Sequence, residues 1–179
     1  MVQYARPDAD TSVGDWGASS GTDRYAMIDE AVTSDSDYIS VTDDAGDTSF
    51  PITLSLSSVT DPSSGADHSV VVRAYAEMAD GSLNLNVHLK DGSTSIKNED
   101  FTVQDSLTNH TMNLSTAQAN SISGSGYGNL TLILTSYDAS MSGGDTVVTQ
   151  AYFACPDASG GGSTPIAAIA MNTYRQMRN

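Results

Sequence analysis

Ser82-Leu83-Asn84-Leu85-Asn86-Val87-His88-Leu89-Lys90 alternates polar and apolar side chains without a break. Successive side chains of an extended chain point to opposite faces, so Leu83, Leu85, Val87 and Leu89 share one face. Asn84, Asn86, His88 and Lys90 share the other. A half-buried antiparallel strand has this period and a helix does not. Asp80-Gly81 stands before the run and Asp91-Gly92 after it, both pairs that favour tight turns. The preceding run, residues 69–78, puts Val70, Val72, Ala74, Ala76 and Met78 in one phase. Together the two runs predict a hairpin.

The same reasoning extends outward. Phe50, Ile52, Leu54 and Leu56 alternate with Thr53 and Ser55, and Leu130, Leu132 and Leu134 alternate with Thr131, Ile133 and Thr135. Residues 145–155 carry Val147, Val148, Tyr152 and Phe153, and residues 38–41, 101–103 and 109–114 are shorter candidates. About eight short strands divided by Gly, Asp and Ser turns predict an all-β, antiparallel β-sandwich or jelly roll. Two short helices fit between them. Thr22 or Asp23 would cap residues 24–31, and Ser115 would cap residues 116–122.

Composition agrees with strands and turns. The 179 residues hold 19 Asp but only 3 Glu, and 44 Ser plus Thr. These side chains compete with the helical backbone for hydrogen bonds, which disfavours a helical bundle or coiled coil. Seven Lys plus Arg against 22 Asp plus Glu leave a net charge of −15. Such a body repels phosphate, so no nucleic-acid partner is expected. An Asp-rich, Lys-poor surface also suits a saline environment. No apolar run approaches the roughly 20 residues that span a bilayer, and Met1-Val2-Gln3-Tyr4 does not read as a signal peptide. The expectation is a protein with no membrane partner, made in a cytoplasm, that stays soluble or leaves by a route its N-terminus does not encode.

Catalytic and metal chemistry is sparse. Cys155 is the single cysteine, which excludes an internal disulfide and a cysteine-cluster zinc site, and it reads as a small buried hydrophobe. His68, His88 and His110 match no zinc spacing, and His88 falls on the polar face of its strand. Gly124-Ser125-Gly126 with Gly128 leads into a strand, not a helix, so no phosphate cradle is predicted. Enzyme activity is not expected. Asp8 with Asp10, Asp35 with Asp37, and Asp43-Asp44 near Asp47 are acid pairs that a glycosidase or a structural calcium ion could use. Their frequency in so acidic a chain reads first as solvated turns, and no cofactor is expected beyond that possible calcium. Trp16, Tyr25, Tyr75, Tyr127, Tyr137 and Tyr152 are candidates for stacking on sugar rings, with Trp16 and Tyr75 as the substitutions to test; in its Gly-rich stretch Trp16 reads at least as well as a plug of the core. Asn109, Asn113 and Asn129 each head a glycosylation-type triplet, read as chance in a Ser/Thr-rich chain.

After Pro156 the composition changes. Ser159-Gly160-Gly161-Gly162-Ser163 is a flexible linker. Beyond it Ile166, Ile169, Ala170, Thr173 and Met177 recur at helical spacing. Residues 1–157 hold 5 basic and 22 acidic side chains, whereas residues 158–179 carry Arg175, Arg178 and no acid. The predicted organisation is a sandwich domain, residues 1–157, with a Gly-linked amphipathic arm, residues 158–179. Ile166, Ile169, Tyr174, Arg175, Met177 and Arg178 would form its partner-binding surface, or else the segment packs on its own sandwich.

Several segments carry a resemblance. Arg6-Pro7-Asp8-Ala9-Asp10, Trp16, Ser19-Ser20-Gly21, Ala26-Met27-Ile28-Asp29-Glu30 and Ser34-Asp35-Ser36-Asp37-Tyr38-Ile39 resemble the opening of small structural proteins of tailed bacteriophages. Leu114-Ser115, Ala117-Gln118-Ala119, Asn129-Leu130-Thr131-Leu132 and the tail, Asn172-Thr173-Tyr174-Arg175-Gln176-Met177, are similar to the same group. The resemblance implies a jelly-roll-like virion component without catalytic residues. The expectation is therefore a non-enzymatic capsid decoration (cement) protein or a related head or tail accessory. It would bind the major capsid protein or another virion protein, as an oligomer on the particle. The alternative is a carbohydrate-binding or host-attachment module whose partner is a glycan; a glycoside-cleaving enzyme is a third possibility.

Overall fold

The computed structural model describes residues 1–43, 49–78, 83–137 and 143–158. Beyond Ala158 the proposed arm, including Ile166, Ile169, Tyr174, Arg175, Met177 and Arg178, lies outside the described residues. So do Asp44 and Asp47.

Eleven strands form two antiparallel sheets among the described residues. They are β1 (Val2–Ala5), β2 (Pro7–Ser12), β3 (Gly17–Ala18), β4 (Ile39–Asp43), β5 (Phe50–Leu56) and β6 (Ser69–Met78). β7 (Leu83–Asp91), β8 (Thr94–Val103), β9 (Thr108–Asn113), β10 (Leu130–Tyr137) and β11 (Gly144–Pro156) follow. One sheet runs β3-β4-β11-β6-β9, with β1 also on β11; the other runs β2-β5-β10-β7-β8. This is the all-β, antiparallel sandwich that the alternation predicts.

The period-two faces meet between the sheets. Leu83, Leu85, Val87 and Leu89 of β7 are fully buried, as are Val70, Val72, Ala74 and Ala76 of β6 and Leu132 and Leu134 of β10. Each of these Val and Leu side chains contributes on the order of 1.5–3 kcal/mol relative to exposure, before the cost of ordering it, and each Ala about 1 kcal/mol or less. The turn at Asp91-Gly92 joins β7 to β8, which pair from Leu83↔Val103 to Asp91↔Thr94 with a register shift between Leu89 and Lys90, and Gly92 sits at φ +54°.

The expected hairpin of residues 69–78 with 82–90 does not form. β6 pairs with β11 and β9 in one sheet, and β7 with β10 and β8 in the other. Alternation states which face is buried, not which strand lies alongside. Here the two apolar faces meet across the core.

Both expected helices are shorter than predicted. Residues 116–122 give one α-helical turn, Thr116–Ala119, capped by Ser115: Gln118 N donates to Ser115 Oγ, and Ser115 N donates to Gln118 Oε1. Residues 24–31 yield only a 3-10 turn, Tyr25–Met27. Its cap is Asp10, not Thr22 or Asp23. The Asp10 carboxylate accepts from Arg24 N and Tyr25 N at 2.8 Å each.

Trp16 closes one end of the core. It is 1% exposed, and its Nε1 donates to Phe50 O at 2.9 Å. The turn delivering it needs Gly14, which sits at φ +53° with Pro51 O only 2.7 Å from where a Cβ would stand. Cys155 is fully buried, and burial pushes its thiol up to about 11, consistent with the inert role read from its position.

Candidate binding face

The outer surface of the six-stranded sheet gathers the groups that could hold a ligand. Along β6, Val72 and Ala74 point into the core, so Val71, Arg73 and Tyr75 point outward. Register places Tyr152 of β11 opposite Val71, and Thr111 of β9 on Val71's other side. On β1, Ala5 enters the core opposite Phe153, so Tyr4 faces out, opposite Ala154.

Two strands flank the same edge of β11, β1 over residues 153–156 and β4 over 144–148. A register shift between Val148 and Gln150 falls between them. The connection from β3 to β4 fills this gap. Ala151 N donates to Ile28 O at 2.9 Å, Gln150 Nε2 donates to Glu30 O, and Thr33 Oγ1 donates to Gln150 Oε1. Asp35 then reaches β6, where Arg73 Nε and Nη2 donate to its two carboxylate oxygens at 2.9 and 3.0 Å. Arg73 holds the Asp35 carboxyl below the usual carboxylate range, chiefly through these bonds, so the fork persists into mild acid. It pins the connection across the sheet.

Aromatic groups stand on either side of this pin. On one side the Tyr4 and Tyr152 rings meet edge to face, centroids 5.4 Å apart at 83°. Tyr4 is 44% exposed, and the Arg6 guanidinium lies 5.1 Å from its ring centre. On the other side Tyr75 is half-buried, and its phenol is raised first by burial, then by Glu77, Tyr38 and Asp145. Val147, next to Tyr75 in the ladder, is 3% exposed although it lies outside the apolar core.

Glu30 carries a testable consequence of this packing. Burial, with Asp29 and Asp37 nearby, raises its carboxyl above the ordinary glutamate range, although a backbone hydrogen bond opposes the shift. A carboxyl raised on folding contributes stability at low pH and loses it as pH rises through the folded value. At neutral pH ionised Glu30 is therefore a net cost. Glu30→Gln should stabilise the fold at pH 7 by up to about 1 kcal/mol after discounting for solvent screening. Thermal melts at stepped pH should show that gain vanishing below about pH 4.

The aromatic candidates read from sequence separate sharply. Trp16 and Tyr127 are buried, 1% and 4% exposed, and cannot offer a ring to a ligand. Tyr127 instead donates to His68 Nε2 at 2.8 Å while His68 Nδ1 donates to Ala66 O, which sets the tautomer of this buried histidine. Burial pushes the Tyr127 phenol up to about 12. Tyr25 packs against the core, and Tyr137 lies on the other sheet beside Asp100. Tyr75 and Tyr152 remain on the face described above. Tyr4 and Arg6 were missed; the only signal was Val2-x-Tyr4-x-Arg6, a short alternation with apolar residues in both phases.

The acid pairs disperse as well. Asp10 caps a turn, and Asp35 holds Arg73. Among the described residues no group of three or more His, Cys, Asp or Glu could hold a metal ion. His88 stands on the polar face as expected, with Nε2 at 2.8 Å from Ser95 Oγ.

No protein-family model matches the chain, and no curated protein matches it. Solved structures similar to it include two carbohydrate-binding modules. One is the TmCBM61 module in complex with β-1,4-galactotriose, 11% identical over 67% of this chain and 71% of that one, with a TM-score of 0.43. The other is the family 11 carbohydrate-binding module of the cellulosomal cellulase Lic26A-Cel5E of Clostridium thermocellum. It is 15% identical over 83% of this chain and 93% of that one, with a TM-score of 0.42.

Proposed function

We propose that this chain is a carbohydrate-binding module that takes a glycan on the outer face of its six-stranded sheet. A sandwich fold alone does not decide function. The observation that carries the reading is the Tyr4–Tyr152 pair, aromatic surface left open on a sheet whose other face carries the apolar core. Sugar rings present apolar C–H faces edged by hydroxyls, and an amphipathic ring beside hydrogen-bonding groups complements both. Thr111 lies one strand beyond Val71, and Asn109 lies opposite Arg73. Affinity electrophoresis against a panel of soluble polysaccharides tests the reading. Retardation by at least one of them is expected; migration unaffected by every member would remove it.

A second reading, a decoration protein or other accessory of a tailed-phage virion, draws on the sequence resemblance. It also draws on the division of charge between residues 1–157 and the Arg-bearing segment 158–179. A segment tethered through Gly-rich linker adds affinity by effective concentration once the body is seated. Quantitative mass spectrometry of purified particles should find copies comparable to the shell protein. A few copies per particle would place the chain at tail or fibres, where glycan binding and virion residence coexist. Absence would leave the glycan reading alone.

A further inference from the structure

We propose that the sugar held at Tyr4 and Tyr152 is an acidic one, a uronic acid or another carboxylated residue, and that Arg6 recognises its carboxylate. The inference rests on the glycan reading and specifies its ligand. Arg6 follows β1 directly, and its backbone is locked: Arg6 N donates to Ser57 Oγ, and Ser57 N donates to Arg6 O. The guanidinium is thereby laid over the Tyr4 ring, itself in contact with Tyr152.

Three of the other four basic side chains of residues 1–157 have partners, and the fourth, Lys90, lies on β7 in the other sheet without a salt bridge among the described residues. Arg73 is paired with Asp35, Lys97 with Glu99 and Asn113 O, and Arg24 donates to the carbonyls of Trp16 and Thr22. Arg6 differs. No carboxylate among the described residues forms a salt bridge with it, in a chain carrying 22 of them. Its Nε is buried and has no hydrogen-bond partner among those residues. A guanidinium desolvated at Nε gains more from an anion at its terminal Nη1 and Nη2 donors than a hydrated one does, and that end-on fork matches a carboxylate. Stacking on Tyr4 fixes the fork beside the ring on which a sugar would lie. An uncharged sugar would use the ring and leave the charge unmatched.

The acidic body does not forbid this contact. Its repulsion is screened beyond about 8 Å at physiological ionic strength, whereas an ion pair at Arg6 is short-range.

The test compares acidic glycans with the same chains made neutral: polygalacturonate with its methyl ester, and alginate and hyaluronan with their carboxyl-reduced forms. The probe is the full chain, by affinity electrophoresis and calorimetry. At least one acidic form should bind about tenfold or more tighter than its neutral counterpart, the effect of one charge-assisted hydrogen-bonding contact. Arg6→Gln should bring that ratio to about one, and Arg6→Lys, which keeps charge but loses the fork, should leave it intermediate. Melting curves on both variants establish that the sandwich is intact, and the ratio within one variant is independent of any loss of folded protein. Equal binding of acidic and neutral forms, or a ratio unchanged in Arg6→Gln, overturns the inference and leaves the glycan reading standing. Failure of every acidic and neutral glycan to bind removes both.

Discussion

Trp16→Ala should lower the melting temperature by about 10 °C or more without revealing any direct role in ligand binding. The indole is 1% exposed, and its Nε1 donates to Phe50 O. Truncation removes a large buried ring and leaves a cavity, a change that costs about 3–5 kcal/mol. It also strands the Phe50 carbonyl without its donor. In a chain of this length each kcal/mol moves the midpoint by about 2–4 °C. Circular dichroism is the suitable readout because the substitution removes the single tryptophan. Trp16→Phe separates the two contributions: it restores most of the volume but not the hydrogen bond, so its loss should be clearly smaller. A variant melting like the wild type would show that Trp16 does not close the core.

Tyr152→Ala should behave in the opposite way. Its ring lies on the outer face, against Tyr4 at 5.4 Å and away from the interior. Stability should fall by no more than about 1 kcal/mol, within the range for lost surface aromatic contacts. Glycan affinity should fall about 30-fold or more, as expected when an aromatic anchor of a binding surface is truncated. Tyr4→Ala should show a similar division, and the double variant should lose less than the sum, because the two rings support each other. Tyr75→Ala is the internal control, since the Asp35–Arg73 fork separates Tyr75 from the pair. If Tyr75→Ala abolishes binding while Tyr152→Ala does not, the site lies at the other end of the face.

These two aromatics mark where sequence reasoning stopped. Trp16 and Tyr152 both stood among the stacking candidates, and the Gly-rich stretch around Trp16 left a core-plugging role open beside ligand contact. The structure takes the core-plugging role: the positive φ of Gly14 folds Trp16 inward against β5. Tyr152 stands between Ala151 and Phe153, which gives no alternation to read; the register shift at Val148/Gln150 decides which of the three faces out. β2 and β3 escaped notice because neither carries the apolar phase that marked the other strands. β8 was recognised only at its end, because Lys97, Asn98, Glu99 and Asp100 mask its alternation.

What the sequence determined by itself was local: which side chains of β5, β6, β7 and β10 turn inward, the reversal at Asp91-Gly92, and the Ser115 cap. Each follows from a period or a hydrogen bond spanning a few residues. Tertiary structure alone decided which strands became neighbours, and so sent β6 and β7 to different sheets. It also brought Tyr4, Arg6, Asp35, Arg73 and Tyr152 onto one surface from positions up to about 150 residues apart. Strand pairing is a choice among long-range partners whose apolar faces are equally acceptable, and only burial of all of them together selects one arrangement. The binding face is the outer side of that selection, where local alternation prescribes nothing beyond pointing away from the core.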